Sequence, residues 1–277
     1  VRGNKIKIIG DEKEINLIDQ ILFEMASTLN EKGSLDQNDV ETLLTFNMSN
    51  SKSNKSSSKN IIHYGRKGAI AARTDGQEKY IDIAKSNDIV FSTGPAGTGK
   101  TFIAIAFAVA ALENRIVDKI VLCRPAVEAG ESLGFLPGDL KEKIDPYLTP
   151  LYDALSEILF FEKLKPLLSE NIIEIIPLAY MRGRTLNNAF MILDEAQNAT
   201  SVQMKMFLTR LGVNSKAIIT GDVTQTDLSN KLESGLVQVL SLLKDVDGIG
   251  FCELSAKDIV RHKLVKDIIK AYDEGKN

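Results

Sequence analysis

One eight-residue stretch has the residue types and the spacing that bind a polyphosphate. Residues 94–101 read G-x-x-x-x-G-K-T. Glycines let the backbone fold closely around phosphate groups with several N–H groups pointing inward, and the positive end of a following helix adds to the attraction. Lys100 would reach the β- and γ-phosphates, and the Thr101 hydroxyl would hold Mg²⁺. The stretch therefore predicts a site for a nucleoside triphosphate, ATP, with Mg²⁺.

The residues on either side favour the local structure that such a loop requires. The apolar run 89–91 is typical of a buried strand, and the apolar residues 102–112 are typical of a buried helix. The alternative is a chance glycine-rich turn, but the strand, loop and helix context disfavours it. The predicted nucleotide-binding residues of the stretch are Gly94, Pro95, Ala96, Gly97, Thr98, Gly99, Lys100, Thr101 and Phe102.

Two acidic residues follow a second apolar strand. Asp194 and Glu195 come directly after residues 190–193. At the carboxyl end of a parallel strand they would meet the phosphate loop, since such sheets bind ligands at that edge. Asp194 suits a Mg²⁺ position, and Glu195 could activate the attacking water as a general base. The alternative is a strand that ends in a solvated acidic turn.

Polar residues also follow a third strand, 217–220. Thr220 or Gln225 could sense the γ-phosphate or help to place the water. A simple polar turn is the alternative. Gln77 precedes the first strand, and its amide could read the adenine edge with a paired donor and acceptor, although a lone Gln is usually a surface residue.

Several arginines could stabilise the charge of a phosphoryl transition state, often from a neighbouring subunit. Arg182 and Arg184 flank a glycine in a predicted loop, where they could instead contact RNA phosphates. Arg261 begins the last predicted helix, and Arg124 follows the second strand. The alternative for each is a surface ion pair with a carboxylate.

The elements that must position these residues alternate between strands and helices. Alternating apolar strands and helices predict an α/β fold with a largely parallel sheet that is covered on both faces. The predicted strands are 89–92, 119–123, 172–176, 190–193, 217–220 and 249–253, and the predicted helices are 101–113, 150–165, 201–211, 232–243 and 258–273.

The chain divides into three parts by composition. Residues 1–47 predict a small α/β unit, with a strand at 6–9 and two amphipathic helices. Residues 48–60 are almost entirely Ser, Asn and Lys, which predicts a linker. The core domain would occupy 61–277 and begin with a hairpin at 61–73. The basic Gly-x-x-Gly of that hairpin also resembles the RNA-clamping loop of KH domains, but there it joins two helices.

Composition limits the other possibilities. The net charge of −3 over 277 residues excludes a uniformly basic nucleic-acid binder. No apolar run reaches the length that spans a bilayer, so we expect no membrane segment. Two cysteines in apolar runs predict buried thiols and a reducing, cytoplasmic location. The first residue is Val rather than Met, so the sequence leaves open whether a leader precedes it.

Beyond single motifs, the chain from about 73 to 262 resembles the PhoH family. The matching motifs are G-P-A-G-T-G-K-T at 94–101, R-P-A-V-E-A-G-E at 124–131, L-G-F-L-P-G-D at 133–139, D-P-Y-L at 145–148, Y-M-R-G-R-T at 180–185, L-D-E-A-Q-N at 193–198, F-L-T-R at 207–210 and T-G-D-V-T-Q at 220–225. The resemblance implies a RecA-like P-loop ATPase, similar to the first motor domain of superfamily 1 helicases. It also implies that Gln77, Thr220 and Gln225 belong to the nucleotide site.

The resemblance further implies a cytoplasmic, phosphate-starvation-associated protein tied to RNA metabolism, with single-stranded RNA as the expected partner. Because a second motor domain is absent, helicase activity would need a homo-oligomer such as a hexameric ring, in which Arg182, Arg184 or Arg261 completes the neighbour's site. The N-terminal part resembles the KH-like appendage of longer members, but it lacks Gly-x-x-Gly between its helices. The alternative is a switch protein in which ATP binding gates a partner; a small-molecule kinase would need a second substrate pocket that the motifs do not show.

Overall fold

The structure is a computed structural model. It describes residues 61–66, 68–125, 140–226, 228, 234–260 and 265, together with 7–11 and part of 15–44. Three sequence predictions lie outside these residues: the linker at 48–60, the position of Arg261 and most of the helix at 258–273.

A six-stranded sheet forms the centre of the molecule. Its strands are β3 (Ile89–Thr93), β4 (Lys119–Arg124), β5 (Ile173–Pro177), β6 (Ala189–Leu193), β7 (Lys216–Gly221) and β8 (Ile249–Glu253), after a separate hairpin of β1 (Ile61–Gly65) and β2 (Gly68–Ala71). The order across the sheet is β5-β4-β6-β7-β3-β8, and every neighbouring pair is parallel. The predicted α/β fold with a mostly parallel sheet is thus confirmed.

Helices cover both faces of this sheet. They are α1 (Asp75–Ser86), α2 (Lys100–Glu113), α3 (Leu140–Ile158), α4 (Phe161–Ser169), α5 (Ser201–Leu208) and α6 (Gly235–Leu242), with short 3₁₀ turns at Leu178–Met181, Ala196–Asn198 and Ala256–Asp258. Successive side chains of a strand point into two apolar cores, one on each face of the sheet. In β6, Phe190 and Ile192 pack with α1 to α4, whereas Met191 and Leu193 pack with α5 and α6. This arrangement explains why the strands read as continuous apolar runs.

Two helix predictions differ from the structure. The helix predicted at 150–165 is two helices, because α3 runs through Pro146 and Pro150 and a second helix begins at Phe161. The buried face of α3 includes Leu148, Leu151 and Leu155, and Leu148 is the one of these that lies in the added part. The sequence reading also missed α1, although Thr74 begins it as an N-cap that accepts a hydrogen bond from the Gln77 N–H at 3.2 Å.

The hairpin prediction is confirmed, and its basic turn has a structural partner. Strands β1 and β2 pair antiparallel from Ile61–Ala71 to Gly65–Gly68. The Arg66 N–H donates to the carbonyl of Ile158 at 2.8 Å, and its guanidinium donates to the carbonyl of Ser156 at 3.3 Å. The turn therefore satisfies carbonyls at the end of α3, a site where a cation is also favoured by the helix dipole.

The described residues of the N-terminal part agree with two helices. Those at 15–29 and 37–44 are helical, and Asp36 accepts a hydrogen bond from the Asp39 N–H at 3.0 Å, which is a cap. The predicted strand at 6–9 is wrong for residues 7–9, which have no regular structure. Whether this part is a KH-like domain stays a prediction. Within the described ranges, no helix combines the length and apolar character that crossing a membrane requires.

Candidate functional site

The sheet order brings three strand ends together at one edge. Strand β7 lies between β6 and β3, with Thr93 opposite Gly221 and Leu193 opposite Ile219. Because all three strands are parallel, the residues that follow them emerge on the same side. The phosphate loop after β3, the two acids after β6 and the polar turn after β7 therefore meet at the carboxyl edge of the sheet.

The loop at 94–101 has the backbone that its glycines permit. Gly94, Gly97 and Gly99 have φ values of 141°, 84° and 83°, which disfavour any residue with a side chain. Gly99 is the N-cap of α2 and offers no side-chain cap, so the first N–H groups of this helix remain for an anion. The Lys100 ammonium folds back over the loop and donates to the carbonyls of Gly94 and Pro95 at 2.7 and 2.9 Å.

The rest of the predicted loop residues differ in exposure. Thr98 is buried, and its hydroxyl donates to the Pro95 carbonyl at 2.9 Å, so it stabilises the turn from inside. Ala96 is exposed at the tip. Phe102 is half-buried and packs against the core on the α2 side of the sheet.

Three oxygen atoms converge where Mg²⁺ is expected. Oδ1 of Asp194 accepts hydrogen bonds from the hydroxyls of Thr101 and Thr220, each at 2.7 Å. Mg²⁺ prefers such hard oxygen ligands and is commonly held by one or two protein oxygens plus phosphate and water. The Thr101 hydroxyl donates a hydrogen bond to Asp194, so the lone pairs of the hydroxyl oxygen remain for a cation. The residues present therefore fit a magnesium ion.

Glu195 has a conformation that is unusual for its residue type. Its φ of 51° and ψ of 41° lie in the left-handed region, at the start of the 3₁₀ turn Ala196–Asn198. Its carboxylate is held on both sides: Gln197 Nε2 donates to Oε2 at 2.6 Å, and Arg124 Nη2 lies 3.6 Å from Oε1. The geometry thus fixes the carboxylate next to the Asp194 cluster while leaving its side chain 39% exposed.

Gln197 joins the acidic turn to the turn after β7. Its side chain is buried, with Nε2 on Glu195 and Oε1 accepting from the Asp222 N–H at 3.0 Å. A Cβ at Gly221 would lie 2.8 Å from Gln197 Oε1, so a larger residue there would require the Gln197 side chain to shift. Asp222 is also buried; Oδ1 accepts from the N–H and hydroxyl of Thr224, whereas Oδ2 has no partner among the described residues.

The structure places Gln77 behind the phosphate loop rather than at an open surface. Its side chain is only 4% exposed. Nε2 donates to the Thr98 carbonyl at 3.0 Å, and Oε1 accepts from the Arg73 N–H at 2.7 Å. Each end of the amide retains capacity for one more hydrogen bond. Gln77 therefore contacts the loop itself, and its reading of adenine remains a prediction.

The remaining predicted residues are placed in three different ways. Gln225 is exposed in the turn after β7, where its N–H donates to the Asp222 carbonyl at 3.1 Å. Arg184 donates to Glu174 Oε1 at 2.8 Å, and Lys119 lies 3.1 Å from the same oxygen. Although burial alone would raise the pKa of Glu174, these two cations lower it. Arg182 is exposed.

Sequence reasoning did not select Gln197, and it did not prefer Arg124 over the other arginines, although the structure brings both to the site. Gln197 is visible only as part of the family motif at 193–198, because no local pattern marks a Gln that bridges two strand ends. Arg124 is one of several candidate arginines in the sequence, but β4 carries it beside Glu195 only because β4 adjoins β6 in the sheet.

Comparison with known proteins shows the family of the chain. The pattern that defines PhoH-like proteins matches residues 69–273. The PhoH-like protein of Bacillus subtilis (strain 168) is 50% identical over 275 residues, which cover 99% of this chain and 86% of that protein. The PhoH-like protein of Synechocystis sp. (strain ATCC 27184 / PCC 6803 / Kazusa) is 47% identical over 279 residues, which cover 100% of this chain and 85% of that protein.

Among solved structures, the large terminase of a thermophilic bacteriophage is similar over 68% of this chain and 45% of its own, with a TM-score of 0.41 and 12% identity. A score this low indicates only a distant likeness. The match of the family pattern and the identity to its members are sufficient: the chain belongs to the PhoH family.

Proposed function

We propose that the chain binds ATP with Mg²⁺ and hydrolyses its γ-phosphate, and that an oligomer couples this reaction to the binding or remodelling of single-stranded RNA. One observation carries the ATPase part: Lys100, the Thr101–Asp194 pair and Glu195 all lie at the carboxyl edge of neighbouring strands. These are the groups that phosphoryl transfer to water needs, because its catalysis is mainly positioning and charge stabilisation.

A bound triphosphate would replace some of the hydrogen bonds that the phosphate loop makes within itself. Phosphate oxygens can accept the hydrogen bonds that Lys100 now donates to the carbonyls of Gly94 and Pro95. Charge-assisted bonds to phosphate are stronger than bonds to neutral carbonyls, so the exchange favours binding. The N–H groups of the first turn of α2 would face the same anion.

Mg²⁺ would be held by Thr101 and, through water, by Asp194, and it would neutralise charge on the β- and γ-phosphates. Thr220 donates to the same Asp194 oxygen and so fixes that carboxylate. Glu195 would accept the proton of the attacking water, since its carboxylate is partly open to solvent and is oriented by Gln197 and Arg124.

The coupling to RNA and the ring rest on two observations. The family resemblance suggests both, and the exposed Arg182 offers a cation to solvent. RNA phosphates bind such cations with release of counterions, which makes the interaction salt-dependent. A neighbouring copy could likewise present Arg182 or Arg261 to the γ-phosphate, as arginine fingers do.

The proposal is tested by steady-state hydrolysis of ATP with and without Mg²⁺. Glu195→Gln keeps the shape of the side chain but removes the base, so kcat should fall by about 10²- to 10³-fold while ATP still binds. Lys100→Ala should instead weaken ATP binding. Hydrolysis at the parent rate by Glu195→Gln would contradict the assignment of the base.

A second measurement separates the RNA-coupled motor from a nucleotide-gated switch. Single-stranded RNA should raise ATP turnover, and the stimulation should decline steeply with salt. A turnover that RNA leaves unchanged, together with a protein partner retained only in the presence of ATP, would favour the switch.

A further inference from the structure

The segment that follows β8 contacts the end of β3 and the phosphate loop. The Leu254 N–H donates to the Thr93 carbonyl at 2.7 Å, and the Val260 N–H donates to the Gly97 carbonyl at 2.9 Å. A Cβ at Gly94 would overlap with the Leu254 carbonyl oxygen, so the two backbones are in close contact. The loop therefore rests against a segment that is distant in the sequence.

Asp258 connects this segment to the start of α1. Its side chain is 6% exposed, and its carboxylate accepts hydrogen bonds at both oxygens. Oδ1 accepts from the Thr74 hydroxyl at 2.7 Å and the Gly76 N–H at 3.2 Å. Oδ2 accepts from the N–H and hydroxyl of Ser255 at 2.8 and 3.0 Å. Both oxygens are thus engaged between two parts of the chain.

The connection continues from α1 to the phosphate loop. The Thr74 hydroxyl that donates to Asp258 also accepts from the Gln77 N–H at 3.2 Å. Gln77 Nε2 then donates to the Thr98 carbonyl at 3.0 Å. The path Asp258–Thr74–Gln77–Thr98 is continuous and reaches the loop on one side, while Val260–Gly97 reaches it on the other.

The approach of this path to the helix is close. A Cβ at Gly76 would overlap with Asp258 Oδ1, so the carboxylate could keep this position only against a glycine. At Gly99, a Cβ would lie 3.0 Å from Gln77 Nε2. Two glycines thus allow the path to approach the helix and the loop closely.

We propose that Asp258 is a positioning residue for the nucleotide: through Thr74 and Gln77, and through its own segment, it presets the phosphate loop in the shape that binds the diphosphate part of ATP. This inference rests on the proposed nucleotide binding and adds a residue to it that neither the phosphate loop nor the acidic turn contains. A loop ordered before binding loses less conformational freedom when the ligand arrives, so affinity rises.

The location of the path determines which measurement changes. It touches the loop at Gly97 and Thr98, whereas Asp194 and Glu195 follow another strand and are held by different partners. Loss of Asp258 should therefore weaken nucleotide affinity and leave the chemical step intact. ADP and ATP should be affected alike, because the path touches the part of the loop that we propose holds the diphosphate common to both.

The test is calorimetric titration of the full chain with MgADP, together with KM and kcat for ATP. Asp258→Asn places an amide opposite the Ser255 N–H, and we expect about tenfold weaker MgADP binding and a similar rise in KM, with kcat within about twofold of the parent. Thr74→Val removes the hydroxyl at nearly constant volume and should act in the same direction. Thr74→Ser keeps the hydroxyl and should bind as the parent does.

Asn87→Ala is the matched control, because Asn87 ends the same helix at the opposite edge of the sheet, where its side chain donates to the Ile83 carbonyl at 2.9 Å. It should lower thermal stability without changing MgADP affinity. Parent-like affinity in both Asp258→Asn and Thr74→Val, or an equal loss in Asn87→Ala, would overturn the inference. Failure of the parent protein to bind MgADP would instead reject the proposed function on which it rests.

Discussion

Arg124 Nη2 lies 3.6 Å from Oε1 of Glu195, across the neighbouring strands β4 and β6. The pair is partly exposed, so its contribution to the free energy of unfolding is small. If Glu195 is the base, a guanidinium beside it would also lie near the charge that develops on the γ-phosphate.

We therefore expect Arg124→Ala to lower kcat for ATP by about tenfold or more, because a cation near a phosphoryl transition state stabilises its charge. Affinity for MgADP should change little, since the phosphate loop is intact. Lys119→Ala, at the other end of the same strand, is the control. Unchanged kcat in Arg124→Ala, measured at saturating ATP, would exclude the arginine from the reaction.

Gln197→Ala should lower both stability and turnover. It removes the donor to Glu195 and leaves the buried Asp222 N–H without its acceptor, which should cost about 1–3 kcal/mol of unfolding free energy. Because the Glu195 carboxylate is then no longer held in place, kcat should also fall, measurably beyond twofold. Chemical denaturation and steady-state kinetics test both; a stable variant with parent turnover would show that the bridge is dispensable.

The pKa of Asp258 predicts that the thermal stability of the protein depends on pH. Burial alone would raise its pKa, but hydrogen bonds from Thr74, Ser255 and Gly76 hold the pKa below the usual aspartate value. A carboxyl with a lowered folded-state pKa stabilises the fold above its unfolded pKa, and that stabilisation is lost as pH falls through the folded pKa. The difference in Tm between the parent and Asp258→Asn should thus be constant above about pH 5 and shrink below about pH 4.

The two arginines at 182 and 184 should behave differently. Arg184 pairs with Glu174, whose side chain is only 15% exposed, so Arg184→Ala should mainly lower the Tm. Arg182 is exposed, and its replacement by Ala should weaken RNA binding. The slope of the logarithm of the binding constant against the logarithm of salt concentration should become shallower by about one, the value of one phosphate contact. Fluorescence titration of a single-stranded oligonucleotide at several salt concentrations measures this; an identical salt slope for Arg182→Ala and the parent contradicts it.

The sequence was most informative where one physical requirement, such as burial of a strand or contact with phosphate, sets both the local residue pattern and the structure. Buried strands read as apolar runs, so all six strands of the sheet were located, with ends that differ by a residue or two. The phosphate loop and the acids after β6 were visible because their chemistry requires a fixed spacing along the chain.

The failures have a physical cause as well. Helix α3 runs through Pro146 and Pro150, although proline is disfavoured inside a helix, so the sequence did not predict the part of this helix before residue 150. Helix α1 was missed because its apolar positions are few among charged residues. Arg124, Gln197 and Asp258 depend on which strands adjoin in the sheet, which local spacing does not encode.

The left-handed backbone at Glu195 has a practical consequence for anyone who engineers this protein. Such a conformation costs a non-glycine residue about 1 kcal/mol or more, a cost that asparagine or glycine largely avoids. Selection for thermal stability alone should therefore favour asparagine or glycine at position 195, which removes the proposed base, so such a library needs an activity screen as well.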